Sequence, residues 1–227
     1  MNKLKSIIIL CLAFGLANIG EAQTKTTPKV SKDPKVIKIL EGLKKDFDSA
    51  KSVEITFNML MEMPDNTSEK QSGILQQSGN QYHVDTDQFA IINNGKAMWF
   101  VNKANKEGQI NDNDASSGTQ MYSPIELLKI YEKDDHNIAI TNEYAEKGVS
   151  FQQIEFVPLD KSVDYSKARL TLQKGTTKLK EVKFFYRDGS RMTLTIKSIE
   201  KNKAIPVGKF SFQASKYPGV YMEDLRN

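Results

Sequence analysis

The sequence has 227 residues with a formal net charge of +4, 39% hydrophobic residues and 26% charged residues, which suits one sizeable domain or two small ones. This composition excludes collagen-like and low-complexity chains and argues against wholesale disorder. A surplus of four positive charges is too small for dedicated nucleic-acid binding. One cysteine and two histidines exclude a disulfide framework and argue against a zinc site. A soluble globular protein is predicted.

Residues 1–22 have the three-part layout of a secretory signal peptide. Two lysines near the start precede an apolar run at residues 7–17, and residues 20–22 form a small-x-small end. The run is shorter than the roughly 18 apolar residues that a membrane-spanning helix needs. Export with cleavage near Ala22 is therefore predicted, and the expected compartment is the periplasm.

The domain organisation after the leader is simple. Cys11 lies inside the apolar run and follows Leu10 rather than a small residue, so no lipid anchor is expected and the mature chain carries no cysteine. Residues 23–32 are polar and without a periodic pattern, which predicts a flexible tether. Residues 33–227 show no internal repeat or linker and are expected to form one domain.

The domain is predicted to begin with an amphipathic helix. Asp33 supplies an N-cap, and Pro34 suits the first helical position. Apolar residues then recur at spacings of four, three and four, at Val36, Leu40, Leu43 and Phe47. This spacing places them on one face, and the helix is expected to end near residues 49–52.

A long strand follows, because the hydrophobic period changes from 3.6 to 2. One face of this strand carries only apolar residues, namely Val53, Ile55, Phe57, Met59, Met61 and Met63. Methionine is flexible and polarizable, so its stripe suits an adaptable apolar surface, although ordinary core packing would use the same residues. Shorter strands are predicted near residues 73–77 and 81–85.

Asn94-Gly95 is the strongest hairpin signal in the chain. A two-residue turn at this pair predicts Ile91 opposite Met98 and Phe89 opposite Phe100, with Ala90 opposite Trp99 on the reverse face. Both faces of the hairpin would then be apolar. Since an antiparallel hairpin exposed on one face alternates apolar and polar residues, each face is expected to be covered.

The second half of the chain is predicted to contain one short helix and several strands. Ser123-Pro124-Ile125-Glu126 is a capping box, and its helix should include Leu127 and Leu128. Strands are expected near residues 137–142, 149–157, 165–174, 179–187, 191–200 and 209–212. A three-residue loop at Asp188–Ser190 would pair Phe184 with Leu194. No strand–helix–strand alternation appears, so the fold class is α+β, a large curved antiparallel sheet with helices on its concave side.

Signals for catalysis or metal binding are scarce. His83 lies on a predicted strand, His136 lies in an acidic turn, and no nucleophile-elbow motif is present, so neither an enzyme nor a cofactor is predicted. Residues 111–114 resemble part of a calcium loop but lack its glycine and glutamate, which predicts a polar turn. The basic stretch 161–203 suits either solvated strand faces or contact with anionic headgroups or an acidic partner.

The order of these segments resembles the outer-membrane lipoprotein carrier protein (LolA) family, most closely its Bacteroidetes-type members. The most specific part is the Asn-Gly-Lys-x-x-Trp hairpin at 94–99, within the strand pair 91–101. The other parts are the leader, the first helix, Ser52–Phe57, Gly73-Ile74-Leu75, the helix after Ser123, Phe156–Leu159 and Asp188-Gly189. The arginines that latch the lid in the family have no counterpart, because the first arginine after the leader is Arg169.

The resemblance implies an unclosed β-barrel with helices as a lid over an apolar cavity. The implied function is a periplasmic carrier that takes lipoprotein acyl chains from an inner-membrane ABC exporter to an outer-membrane acceptor, as a monomer without covalent chemistry. Face parity predicts the cavity-lining residues Ile55, Phe57, Met59, Met61, Ile91, Met98 and Phe100, with Leu127 and Leu128 on the lid side; reversed parity would replace Met98 by Trp99. The open alternatives are a periplasmic lipid or lipoprotein sensor or scaffold, a secreted hydrolase, and a structural module with a solid core.

Overall fold

The computed structural model describes residues 30–113 and 130–226. The predicted leader and the predicted helix after Ser123, with Leu127 and Leu128, lie outside these residues. Within them, one α-helix, α1 (Pro34–Asp48), precedes twelve strands: β1 Val53–Glu62, β2 Ser68–Ser78, β3 Gln81–Thr86, β4 Phe89–Asn93, β5 Ala97–Asn102, β6 Glu107–Asp112, β7 His136–Glu146, β8 Val149–Pro158, β9 Tyr165–Gln173, β10 Leu179–Tyr186, β11 Arg191–Lys201 and β12 Tyr221–Asp224. No helix in the described residues is long and apolar enough to span a membrane.

The helix begins as its cap residues predict. The Asp33 carboxylate accepts a hydrogen bond from the Lys35 amide at 2.8 Å, and Pro34 occupies the first turn. All four residues of the predicted stripe are buried. Just before the helix, Ser31 and Lys32 run beside β7, where the Ile138 amide donates to the Ser31 carbonyl at 2.9 Å.

All twelve strands form one curved sheet in the order β12-β6-β5-β4-β3-β2-β1-β11-β10-β9-β8-β7. Every pair is antiparallel except β12 with β6, and the outer strands β12 and β7 leave the barrel unclosed. This confirms the predicted α+β class. The sequence did not predict β6 or β12. Asn111 and Asp112 favour a turn in isolation, and β12 has only four residues. The polar turn expected at 111–114 is wrong at its start, because β6 continues to Asp112.

The two faces of the sheet pack against different segments. We call the face against α1 the inner face, because residues of its helical stripe share one core with Ile55, Leu75 and Ile91. The opposite, outer face carries a smaller core of Ala90, Ile92 and Val101. Both faces of the 89–102 hairpin are therefore covered, as its composition predicts.

In two hairpins each residue pairs with a partner two positions away from the predicted one, so every side chain stays on its predicted face of the sheet. In the first hairpin Ile91 pairs with Phe100, and the turn residues are Gly95 and Lys96, with Gly95 at a φ of +85°. Positive φ at the first central position is the requirement of a type II′ turn. The predicted type I′ turn at Asn94-Gly95 is wrong because the Asn94 side chain instead accepts hydrogen bonds from the Lys96 and Ala97 amides.

The second hairpin has the predicted three-residue loop, but one residue earlier. The loop comprises residues 187–189, and Phe184 pairs with Met192 rather than with Leu194. Gly189 has a φ of +93°, the left-handed conformation that closes a three-residue loop. The prediction placed Ser190 in the loop. In the structure Ser190 follows the loop, and its amide donates a hydrogen bond to the Asp188 carboxylate.

The C-terminal segment, which we define as residues 203–226, covers the outer face of β3–β6. The strand predicted at 209–212 is wrong: residues Val207–Phe210 form a 3₁₀ helix after Pro206, and a second 3₁₀ helix follows at Ala214–Lys216. The Phe212 ring stacks on Trp99, with ring centroids 6.4 Å apart. The second apolar face of the hairpin is therefore buried by a segment distant in sequence.

Glu54 on β1 forms an ion pair with Lys203, the first residue of the C-terminal segment. Its carboxylate accepts hydrogen bonds from Lys203 at 2.5 Å and Gln76 at 2.6 Å, and both lower the pKa of this carboxyl group below its usual value of 4.5. A lowered pKa stabilises the folded state above about pH 4.5, and this contribution is lost as pH falls through the folded pKa. The wild-type free energy of unfolding is thus expected to fall more steeply in acid than that of Glu54→Gln.

Urea unfolding between pH 3 and pH 7 measures this difference. Glu54→Gln retains a polar side chain of the same length but has no proton to gain in this range. Parallel stability curves for the two proteins below pH 4.5 would contradict a role for this carboxylate in acid sensitivity.

Candidate functional site

The predicted cavity-lining residues that the structure describes all lie on the inner face. Ile55, Phe57, Met59, Ile91 and Met98 are buried in the main core, and Met61 and Phe100 are half-buried and pack against it. Trp99 lies on the outer face, so the alternative parity does not apply. Leu127 and Leu128 lie outside the described residues.

The strand registers join these residues into one apolar surface. Directly paired residues of five neighbouring strands form a single row from β1 to β5: Ile55, Leu75, Val84, Ile91 and Phe100. β1 and β4 are far apart in sequence, and the two strands between them contribute Leu75 and Val84. The row crosses the strands and forms a continuous apolar floor, in which Ile55, Leu75, Val84 and Ile91 are buried in the main core and Phe100 is half-buried.

A glycine in the next row allows an aromatic ring to lie against the sheet. Gly73 pairs with Phe57, and a Cβ atom added at Gly73 would lie 2.8 Å from Phe57 Cε2 and 3.0 Å from Thr86 Cγ2. No side chain fits there unless the ring moves. Gly73 therefore fixes the position of Phe57 on the inner face.

Replacing Gly73 by valine is expected to lower the free energy of unfolding by about 1–3 kcal/mol, the usual cost of overpacking a core. The displaced Phe57 ring would also change the shape of the apolar floor. Thermal or urea unfolding measures the loss. Gly42→Val has open space around its Cβ position and lies in α1, so it reports the effect of a bulky residue without a clash. Unchanged stability of Gly73→Val would show that the ring moves freely.

Three apolar residues of the inner face are only partly buried, one near the end of β1, one at the start of β4 and one on β5. Met61, Phe89 and Phe100 are half-buried, and the rings of Phe89 and Phe100 stack with centroids 6.1 Å apart. Phe100 also borders a cavity of about 350 Å³ beside β6 and β12, whose lining includes Glu107 and Tyr221. These apolar side chains are thus partly exposed to solvent.

The buried side-chain oxygens of Gln71 and Gln77 on the inner face have no hydrogen-bond partner among the described residues, and Gln71 lies nearer the methionines of β1. Gln71 lies opposite Met59, is buried, and its Oε1 atom accepts no hydrogen bond. An unpaired buried acceptor costs about 1–3 kcal/mol, so this amide is suited to a ligand that donates a hydrogen bond. Sequence reasoning missed Gln71, although alternation with Gly73 and Leu75 places it on the inner face.

Seven of the twelve basic residues in the stretch 161–203 form ion pairs with carboxylates of the described residues. Lys167 and Arg169 both bind Glu155, and Lys183 binds Glu62 at 3.3 Å. His136 is also engaged, since its ring nitrogens bind Asp135 and the Tyr165 hydroxyl. Among the described residues, no group of three or more histidine, cysteine or acidic side chains is placed to hold a metal ion.

A family profile, that of the outer membrane lipoprotein carrier protein LolA, matches residues 43–213. The chain belongs to the LolA family. The matched region begins in α1 and ends in the C-terminal segment, so it contains the whole apolar floor. No curated protein matches the chain.

Several solved structures are similar to this chain at low sequence identity. An uncharacterized conserved protein from Thermus thermophilus has a TM-score of 0.54 at 8% identity, over 85% of this chain and 99% of its own. A putative outer membrane lipoprotein-sorting protein domain from Vibrio parahaemolyticus has a TM-score of 0.45 at 14% identity, over 77% and 95% of the two chains. A LolA superfamily protein from Nitrosomonas europaea has a TM-score of 0.39 at 13% identity, over 77% and 96%.

Proposed function

We propose that this LolA-family protein is a periplasmic carrier that shields the acyl chains of lipoproteins on its inner face. The observation that carries the proposal is the apolar row across β1–β5, which runs from Ile55 to Phe100. The half-buried residues Met61, Phe89 and Phe100 beside this row are proposed to give an acyl chain a place to enter. The cavity-lining residues predicted from the sequence are proposed to contact the chain, including Leu127 and Leu128.

The energetics of acyl chains suit this surface. Each methylene group removed from water contributes about 0.8 kcal/mol, so a long chain is held without any covalent bond. A carrier must also release its cargo. Met59 and Met61 adapt to chains of different shape because methionine has three rotatable bonds, which favours moderate rather than rigid binding.

Gln71 is proposed to bind the polar end of the cargo. Its Oε1 atom is a free acceptor beside Met59, and an amide N–H next to an acyl chain is a suitable donor. This contact would orient the chain along the floor. It would also distinguish an N-acylated lipid from a simple hydrocarbon.

The proposed route starts at an inner-membrane ABC exporter and ends at an outer-membrane acceptor or the outer membrane itself. The leader layout of residues 1–22 and the family membership support a periplasmic location. A monomer is proposed, because the apolar row then stays available to cargo. No chemical conversion of the cargo is included.

The test combines native mass spectrometry of the protein purified from a periplasm with a release assay. Spheroplasts that retain outer-membrane lipoproteins are incubated with the purified protein, and released lipoproteins are detected in the supernatant. Co-purified acyl species together with release are the expected result. Bound lipid without release would favour a sensor or scaffold, and an empty protein that releases nothing would contradict the proposal.

A further inference from the structure

A second cavity lies on the outer face, on the other side of the sheet from the apolar row. Its volume is about 460 Å³, and it lies between β3, the β5–β6 turn and the C-terminal segment. Its basic and polar lining consists of His83, Asp85, Lys103, Lys106, Lys209 and Lys216. Tyr217, Pro218 and Val220 form an apolar wall. The cavity therefore combines several ammonium groups with a surface for an organic group.

The positive charge of this cavity is largely unneutralised. Lys103 binds Asp85 at 2.6 Å, which cancels the carboxylate in the lining. Lys106, Lys209 and Lys216 have no carboxylate within 4.0 Å among the described residues. This differs from the stretch 161–203, where neighbouring strands supply partners such as Glu155. Three ammonium groups around one concavity, without an ion pair to any described residue, create a positive potential that attracts an anion.

His83 is an independent sign that the cavity accepts a ligand. The residue is only 6% exposed, and its Nε2 atom has no hydrogen-bond partner. Burial, with repulsion from Lys209, Lys216 and Lys103, lowers the pKa of His83 to about 4. The ring is therefore neutral at physiological pH. In the tautomer with its proton on Nε2, His83 has an unused donor, and its side chain lines the cavity.

We propose that the outer-face cavity binds a phosphate-bearing ligand. Lys106, Lys209 and Lys216 surround the phosphate group, His83 Nε2 donates a hydrogen bond to one of its oxygens, and the attached organic part packs against Tyr217. Charge-assisted hydrogen bonds to phosphate are strong and specific. The phosphate belongs either to a soluble phosphate ester or to the headgroup of an anionic phospholipid.

The cavity forms only when the C-terminal segment is in place. Lys209 and Lys216 belong to its two 3₁₀ helices, whereas His83 and Lys103 belong to the sheet. A ligand that binds both parts would hold the segment against β3. It would do so independently of any acyl chain, because the apolar row lies on the opposite face.

The test uses the imidazole NMR signals of the full mature chain, which contains only two histidines, His83 and His136. The probes are inorganic phosphate, glycerol 3-phosphate, and vesicles of phosphatidylglycerol or phosphatidylcholine. A bound phosphate removes the lysine repulsion and favours the imidazolium, so the pKa of His83 is expected to rise by at least one unit. The pKa of His136 should not change.

Variants separate specific binding from general attraction. Lys209→Gln with Lys216→Gln is expected to weaken binding at least tenfold. Lys178→Gln removes an exposed lysine between β9 and β10, which lie several strands away from β3 in the sheet, and should bind as the wild type does. An unchanged His136 signal shows that each variant is folded.

The two phosphate sources give different results. Binding of glycerol 3-phosphate without vesicle binding supports a soluble ester, and binding of phosphatidylglycerol but not phosphatidylcholine vesicles supports a headgroup. The proposal is overturned if no probe changes the pKa of His83, or if the double lysine variant binds as tightly as the Lys178→Gln control. Neither result depends on lipoprotein release.

Discussion

Phe210→Ala is expected to lower the free energy of unfolding by about 3–5 kcal/mol, the usual cost of truncating a buried phenylalanine. Phe210 is 2% exposed, and its 3₁₀ helix contacts β3 and β4. It is the most deeply buried side chain of the C-terminal segment. Domains of this kind are stable by about 5–15 kcal/mol in total, so the loss would be a large fraction. Urea unfolding, followed by circular dichroism, measures it.

Val207→Ala is the matched control, because it removes apolar atoms from the same 3₁₀ helix. Val207 is 79% exposed, and its truncation should change stability by less than about 0.5 kcal/mol. Exposure of Trp99 provides a second readout, since loss of the segment would move its fluorescence to longer wavelength. Equal stability of the two variants would show that the C-terminal segment contributes little to the fold.

Met61→Asp is expected to weaken the binding of an acyl probe at least tenfold while the protein stays folded. Met61 is half-buried near the end of β1. The carboxylate of an aspartate at this position can therefore remain hydrated in the free protein. A bound chain would strip water from that carboxylate, and desolvation of an unpaired charge is costly. Titration with a fluorescent fatty acid measures the change, and a thermal unfolding curve checks the fold.

The position of the substitution matters. Phe57 and Met59 are buried in the main core, so aspartate there would put an unpaired charge into the interior and unfold the protein. Ile74→Asp is the control, because Ile74 is 43% exposed on the outer face of β2. Equal acyl binding by Met61→Asp and Ile74→Asp, both folded, would remove the accessible end of β1 from the proposed site.

Local sequence patterns were sufficient to predict which residues of β1, β4 and β5 lie on the inner face. The period of two in β1 and the apolar hairpin at 89–102 placed Ile55 and Ile91 on the same side of the sheet, although both hairpin registers were shifted. A register shift of two positions in the pairing leaves side chains on their predicted faces. The predicted face of each side chain was therefore correct even where the predicted turn was wrong.

The sequence by itself determined the cap and stripe of α1, the α+β class and the apolar character of both hairpin faces. Tertiary structure alone decided what covers the outer face and which lysines form no ion pair within residues 30–113 and 130–226. Lys209 and Lys216 lie more than 100 residues from Lys103, and only docking of the C-terminal segment brings them around His83. The physical reason is the range of the two effects: periodicity reports on neighbours a few residues apart, whereas a cavity depends on long-range contacts that no local pattern encodes.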